Sequence, residues 1–139
     1  QGFDRAFIVL HGRGGEDGQR LVGRDEQRRV AQERALAAGM RLGISTHDHA
    51  ELDRALALAP DYVALGPVWP TILKKMPWAP QGLDRVTGWK RRVGDVPLVA
   101  IGGMSVERAP GAFAAGADIV SAVTDITLHA DPDARMREW

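Results

Sequence analysis

The chain has 139 residues, of which 45% are hydrophobic and 26% charged, a composition typical of one soluble globular domain. Eighteen basic residues balance eighteen acidic ones and there is no cysteine, which disfavours a nucleic-acid partner and excludes disulfides, thiolate nucleophiles and cysteine-ligated zinc. The apolar runs are far shorter than the roughly 20 residues that span a bilayer, so we expect a cytoplasmic protein without a membrane partner.

The first forty residues give a weaker pattern than the rest of the chain. Phe7 to Leu10 is compatible with a strand, Gly12 to Gly23 is glycine-rich and predicts a loop, and Gln27 to Ala38 predicts a helix. This region therefore contributes one doubtful β/α unit.

From Arg41 onward, short apolar runs alternate with helical patterns, which is typical of βαβ units in a parallel sheet. Strands are predicted at Arg41–Ser45, Tyr62–Leu65, Pro97–Ile101 and Ile119–Val123, and helices at His49–Ala57, Leu83–Val93, Ser105–Ala115 and from Asp131 to Trp139. Ser105 is placed to cap its helix and Gly116 to end it. Four prolines between Gly66 and Gly82 predict an irregular loop there.

These elements predict an α/β fold of the TIM (β/α)8-barrel type that is incomplete. A complete barrel typically needs about 250 residues. Because the chain also begins at Gln1 rather than Met, we expect a fragment, a single domain over residues 1–139 with the amino-terminal strands missing. A doubly wound open sheet is the alternative, but no Gly-x-Gly-x-x-Gly turn supports it. Exposed sheet edges would favour a homo-oligomer or another partner.

Parallel α/β proteins place their sites at the carboxyl ends of strands, so the residues after each predicted strand are the candidates for chemistry. Ser45 and His47 follow the first of the four strands and offer a hydroxyl donor and an acid or base. Asp48 and Glu51 also fit a capping box, which would explain that part by helix energetics alone. His47 could equally be a partly buried polar residue.

The proline-rich loop and the last two strands offer phosphate ligands. Thr71, Lys74 and Lys75 lie in the loop, where lysines can bind a phosphate or simply be solvated. Gly102-Gly103 lets backbone N–H groups approach an anion, and the helix predicted from Ser105 would point its positive end at the same place. Ser121 follows the neighbouring strand. Loops after the last two strands form the phosphate site of many barrels, so Gly102-Gly103 and Ser121 together predict a phosphate site.

Five segments in order resemble thiamine phosphate synthase, in its proteobacterial form more than the related thiazole tautomerase. They are GISTHD (43–48), PDYVALGPVWPT (60–71), KKMPWAPQGL (74–83), VAIGGMSVERAP (99–110) and IVSAV (119–123). The resemblance covers about residues 39–130, whereas residues 1–38 are divergent.

The resemblance implies a transferase of thiamine biosynthesis that joins hydroxymethylpyrimidine pyrophosphate to a thiazole phosphate and releases pyrophosphate, with Mg²⁺ as cofactor. It implies that Ser45 and Lys74 contact the pyrophosphate, with Lys74 stabilising the charge of the leaving group. It further implies a thiazole-phosphate site formed by Thr71, Gly102 or Gly103, and the backbone at Val120 and Ser121. Glu26 matches the position of one magnesium ligand.

Some positions depart from the family pattern. Leu73 stands where the family has a second threonine. Ala6 and Phe7 stand where the first magnesium aspartate is expected, and neither side chain has an oxygen that could bind the metal. The Gln-x-Arg-x-Lys strand for the pyrimidine pyrophosphate has no counterpart. We therefore expect weak activity, and two alternatives stay open: a tautomerase-like isomerase that uses His47, and a non-catalytic phosphate-binding remnant.

Overall fold

A computed structural model of the protein describes residues 7–11, 30, 33, 34, 37–72 and 79–139. The described residues form β1 (Phe7–His11), β2 (Arg41–Thr46), α1 (His49–Leu56), β3 (Tyr62–Leu65), α2 (Gly82–Val93), β4 (Leu98–Ile101), α3 (Ala109–Ala114), β5 (Ile119–Ser121), α4 (Thr124–Thr127) and α5 (Pro132–Glu138). The chain divides into two compact units, residues 1–63 and residues 64–139, called the first and second unit below.

In the first unit, β1 pairs in parallel with β2, from Phe7 opposite Arg41 to His11 opposite Ser45. The apolar side of α1 covers β2, and Leu42, Ile44 and Ala55 form a buried cluster. This pairing confirms the predicted amino-terminal strand. The predicted loop at 12–23 lies outside the described residues, as does most of the helix predicted at Gln27–Ala38. Of its described residues, Val30, Glu33, Arg34 and Ala37 are helical and Ala38 lies in a turn.

In the second unit, β4 pairs in parallel with β5. Helix α2 buries Val86, Trp89 and Val93, which recur at helical spacing, so one apolar stripe forms the core side of this helix. The exposed side carries the charged residues.

An aspartate that precedes a strand aligns neighbouring backbone in both units. Asp61 donates its N–H to the Leu42 carbonyl over 2.8 Å, and its Oδ2 accepts from the Leu42 N–H at 2.7 Å. Asp118 does the same with Leu98, at 2.9 and 2.8 Å. Each aspartate thus bonds both the backbone N–H and the carbonyl of a residue at the start of another strand, Leu42 in β2 and Leu98 in β4. These bonds fix the register at the amino ends of the strands.

Most predicted bounds are confirmed to within one or two residues, but the predicted start of the helix at Ser105 is wrong. Helix α3 begins at Ala109, its N-cap is Arg108, and no side chain caps it. Pro110 explains the difference, because a helix running from Ser105 would place this proline in its interior, where the ring clashes with the carbonyl four residues earlier. The Ser105 carbonyl instead accepts the N–H groups of Arg108 and Ala109, both at 3.0 Å.

Gly116 has φ +106° and follows the end of α3, as predicted for the residue that stops this helix. Asp131 caps α5 by accepting from the Ala134 N–H at 2.9 Å. None of the helices in the described ranges is long and apolar enough to cross a membrane.

Candidate phosphate-binding site

The loop after β3 is hydrogen-bonded to the carboxyl end of β4. The N–H of Val68 donates to the Ile101 carbonyl at 2.9 Å, and the N–H of Trp69 donates to the Gly102 carbonyl at 3.0 Å. On its other side, the Pro67 carbonyl accepts from the Gln81 N–H at 2.8 Å. Residues 66–70 therefore lie directly against the end of the strand that leads into the glycine pair.

Gly102 and Gly103 require glycine, both for their backbone angles and for space. Their φ angles are +91° and +63°, values that favour glycine. A Cβ on Gly102 would lie 2.6 Å from the Pro67 Cα, and one on Gly103 would lie 2.8 Å from the Trp69 Cβ. The two glycines thus let the loop after β3 and the end of β4 meet at backbone distance.

Ser121 ends β5 directly beside this point. It pairs with Ile101, the residue before Gly102, and Val120 pairs with Ala100. Four of the residues predicted to bind phosphate therefore lie at one edge of the β4–β5 pair: Gly102, Gly103, Val120 and Ser121. Together with the loop 66–71, which contains Thr71, we call this edge the cradle.

The donors of the cradle are backbone N–H groups and hydroxyl groups. The positive end of a helix starting at Ser105 was predicted to face the anion. The structure does not bear this out, because α3 begins only at Ala109 and has six residues. The tight turn at Ser105 to Arg108 separates that helix from the glycine pair. The start of α3 therefore does not adjoin the glycine pair.

His47 is buried and held by Glu51 in the first unit. Glu51 Oε2 accepts the His47 backbone N–H at 2.8 Å and lies 2.9 Å from His47 Nδ1. Because a carboxylate oxygen can only accept, this geometry assigns the ring proton to Nδ1. Asp48 caps α1 by accepting the Glu51 N–H at 2.7 Å, which confirms the predicted cap, although the return bond goes to His47 rather than to Asp48 itself.

The role of Glu51 as the partner of His47 was not predicted from the sequence. The spacing of His47 and Glu51 was the available signal, because side chains four positions apart near the start of a helix can contact each other. Ser45 ends the part of β2 that pairs with β1, and Thr46 beside it is completely buried. The turn that carries both candidate residues is therefore built into the core of the first unit.

Arg135 on α5 joins the segments that follow β4 and β5. Its guanidinium bonds both carboxylate oxygens of Asp125 at 2.8 Å, Glu107 at 2.9 Å and Glu138 at 2.6 Å. These hydrogen bonds hold the pKa of Glu107 down at about 2 and lower that of Asp125, and they raise the pKa of Arg135. Asp125 also accepts from the Trp139 Nε1 at 2.9 Å.

Arg135→Met is expected to change how stability depends on pH. With the pKa of Glu107 near 2 in the folded state and 4.5 as its ordinary value, its contribution is complete above about pH 4.5 and is lost as the pH falls towards 2. The gap between the urea midpoints of wild type and variant should therefore be widest above pH 4.5 and narrow on acidification. Arg137→Met on the same helix is the control, and a gap that is constant with pH would contradict this reading.

Two predicted site residues lie outside the described residues, namely Lys74 and the metal candidate Glu26. In the part of the chain that the structure describes, no three histidine, aspartate or glutamate side chains are grouped so as to hold a metal ion. Because Glu26 lies outside these residues, the magnesium site stays a prediction.

Solved structures share this fold. The thiamine phosphate pyrophosphorylase from Pyrococcus furiosus aligns with a TM-score of 0.69 and 23% identity, over 94% of this chain and 55% of that chain. An archaeal fructose 1,6-bisphosphate aldolase aligns with a TM-score of 0.66 and 13% identity, over 99% of this chain and 56% of that one. At such identities the likeness shows the fold alone, and it makes the chain an α/β protein of the β/α-barrel type.

A family model for thiamine monophosphate synthase matches residues 15–126, so the chain belongs to that family. A thiamine-phosphate synthase of Rhizobium etli is 65% identical over 102 residues, which cover 73% of this chain and 50% of that protein. One from Salmonella schwarzengrund is 48% identical over 110 residues, which cover 79% and 52%. The chain spans about half the length of the curated relatives it matches.

Proposed function

We propose that this chain takes part in thiamine phosphate synthesis, coupling hydroxymethylpyrimidine pyrophosphate to a thiazole phosphate with release of pyrophosphate. The observation that carries the proposal is the cradle, where two obligatory glycines and Ser121 meet at the carboxyl edge of paired parallel strands. Membership of the thiamine monophosphate synthase family supports the choice of substrates.

In this proposal the thiazole phosphate binds the cradle through Thr71, the backbone of Gly102 or Gly103, and Val120 and Ser121. Ser45 and Lys74 bind the pyrophosphate, and Lys74 stabilises the negative charge that grows on it as it leaves. Mg²⁺, with Glu26 as a ligand, is the proposed cofactor and would share that charge when bound.

Formation of thiamine phosphate from the two substrates tests the proposal most simply. We expect slow product formation that falls about 10²–10³-fold in Lys74→Ala, because a donor to the developing charge is lost. Arg91→Ala, which removes an exposed positive charge from α2, is the control and should stay close to wild type. Product formed equally well by Lys74→Ala would contradict the role of this lysine, and binding of thiazole phosphate without any product would indicate a non-catalytic phosphate-binding protein.

The pair of His47 and Glu51 favours a second candidate, an isomerase that acts on the thiazole phosphate. A histidine whose Nδ1 is held by a carboxylate is a common arrangement for acid–base catalysis. Such an isomerase would work in EDTA and lose activity in His47→Gln. The transferase would need magnesium, so metal dependence separates the two.

A further inference from the structure

The side chain of Arg108 is exposed and anchored to the cradle at two points. Its Nη1 donates to the Gly103 carbonyl, and its guanidinium lies over the Trp69 ring, 5.7 Å from the ring centre. Trp69 is itself bonded to the Gly102 carbonyl through its backbone N–H. A cation is thereby held against both loops of the cradle, at a distance within the range of cation–π attraction.

No carboxylate among the described residues pairs with the positive charge of Arg108. Glu107, the preceding residue in the chain, is bonded to Arg135 instead, at 2.9 Å. Among the residues that the structure describes, Arg108 makes no ion pair. Arg135, in contrast, is buried and surrounded by three carboxylates, so it cannot serve an anion in the cradle.

We propose that Arg108 is an anion-binding residue of the cradle, whose guanidinium binds the phosphate group of the ligand. A guanidinium has five N–H donors in a planar fork, and one of them is used by Gly103, which leaves donors for two phosphate oxygens. The proposal rests on the proposed function for the position of the phosphate. It adds the charged group that hydroxyl and amide donors do not provide.

The charge matters because the other donors of the cradle are neutral. Amide and hydroxyl groups can orient a phosphate, but a guanidinium adds Coulomb attraction between two opposite charges and often binds phosphate oxygens in a bidentate manner. Arg108 should therefore make the cradle prefer a phosphate monoester over the same molecule without its phosphate. It would act as a residue that determines specificity.

Titration with inorganic phosphate, followed through the ¹H–¹⁵N signals of Gly102 and Gly103, tests this role. We expect Arg108→Gln to weaken phosphate binding roughly 10- to 100-fold, since a charge-assisted contact is lost. Arg108→Lys should lose less phosphate affinity than Arg108→Gln, because lysine keeps the positive charge although it lacks the planar set of N–H donors. Arg137→Gln removes the same charge from an exposed site on α5 and should stay within about twofold of wild type.

Binding of phosphate by Arg108→Gln with wild-type affinity would overturn the proposal, and so would phosphate that leaves the two glycine signals of the wild type unshifted. The same spectra report whether each variant is folded. Phosphate binding that depends on Arg108, found together with no thiamine phosphate formation, would retain this residue and reject the transferase. Thiamine phosphate formation that Arg108→Gln leaves unchanged would support the transferase and reject the role of Arg108.

Discussion

Gly102→Ala is expected to abolish phosphate binding and to lower the free energy of unfolding by about 2–4 kcal/mol. The added Cβ would need φ +91° and would lie 2.6 Å from the Cα of Pro67. Because the opposing atom is backbone, the loop after β3 has to move away from the end of β4. Urea unfolding and a phosphate titration measure the two effects.

Gly88→Ala is the matched control for this substitution. Gly88 lies inside α2, and a Cβ there would meet nothing within 4 Å. Replacing a helical glycine with alanine should raise the free energy of unfolding by roughly 0.5–1 kcal/mol and leave phosphate binding unchanged. If Gly102→Ala unfolded and bound like wild type, the close approach that defines the cradle would be wrong.

Glu51→Ala is expected to lower the free energy of unfolding by about 2–4 kcal/mol, because two donors of His47 lose their acceptor in a buried place. Glu51 and His47 are each 7% exposed, so water has little access to either group. The loss also removes the carboxylate acceptor that assigns the His47 ring proton to Nδ1, so we expect the tautomer populations of the ring to change. Urea unfolding measures the first effect, and ¹⁵N chemical shifts of the imidazole measure the second.

Glu51→Gln separates the lost hydrogen bonds from the lost volume. Its side-chain oxygen can still accept from His47, although without charge, so we expect a smaller loss of stability than in Glu51→Ala. An imidazole that keeps its proton on Nδ1 in Glu51→Ala would show that another group, not Glu51, sets the tautomer.

The sequence predicted the strands, and the placement of Gly102, Gly103 and Ser121 at strand ends, because these signals are local. The strand Tyr62–Leu65 has its predicted bounds, and the pair of glycines and Ser121 follow neighbouring strands as the alternating pattern requires. The start of α3 was misplaced at Ser105, although Pro110 was the better signal, because proline is favoured in the first turn of a helix and excluded from its interior.

Contacts between distant residues could not be predicted from the pattern. Arg135 meets Glu107 across 28 positions, and Arg108 stacks on Trp69 only because the loop after β3 folds against β4. Neither pair shows any helical or strand periodicity. These contacts show that carboxylates neutralise Arg135, whereas Arg108 has no carboxylate partner among the described residues. The inference about Arg108 rests on this difference.

The most direct test of the central claim is a calorimetric titration of thiazole phosphate into the purified chain, with and without Mg²⁺, repeated with Ser121→Ala. We expect saturable binding that Ser121→Ala weakens roughly tenfold, since the hydroxyl bonds a charged phosphate oxygen. No binding at millimolar ligand would contradict a phosphate site at the carboxyl edge of β4 and β5, and binding that Ser121→Ala leaves unchanged would contradict a contact through the Ser121 hydroxyl.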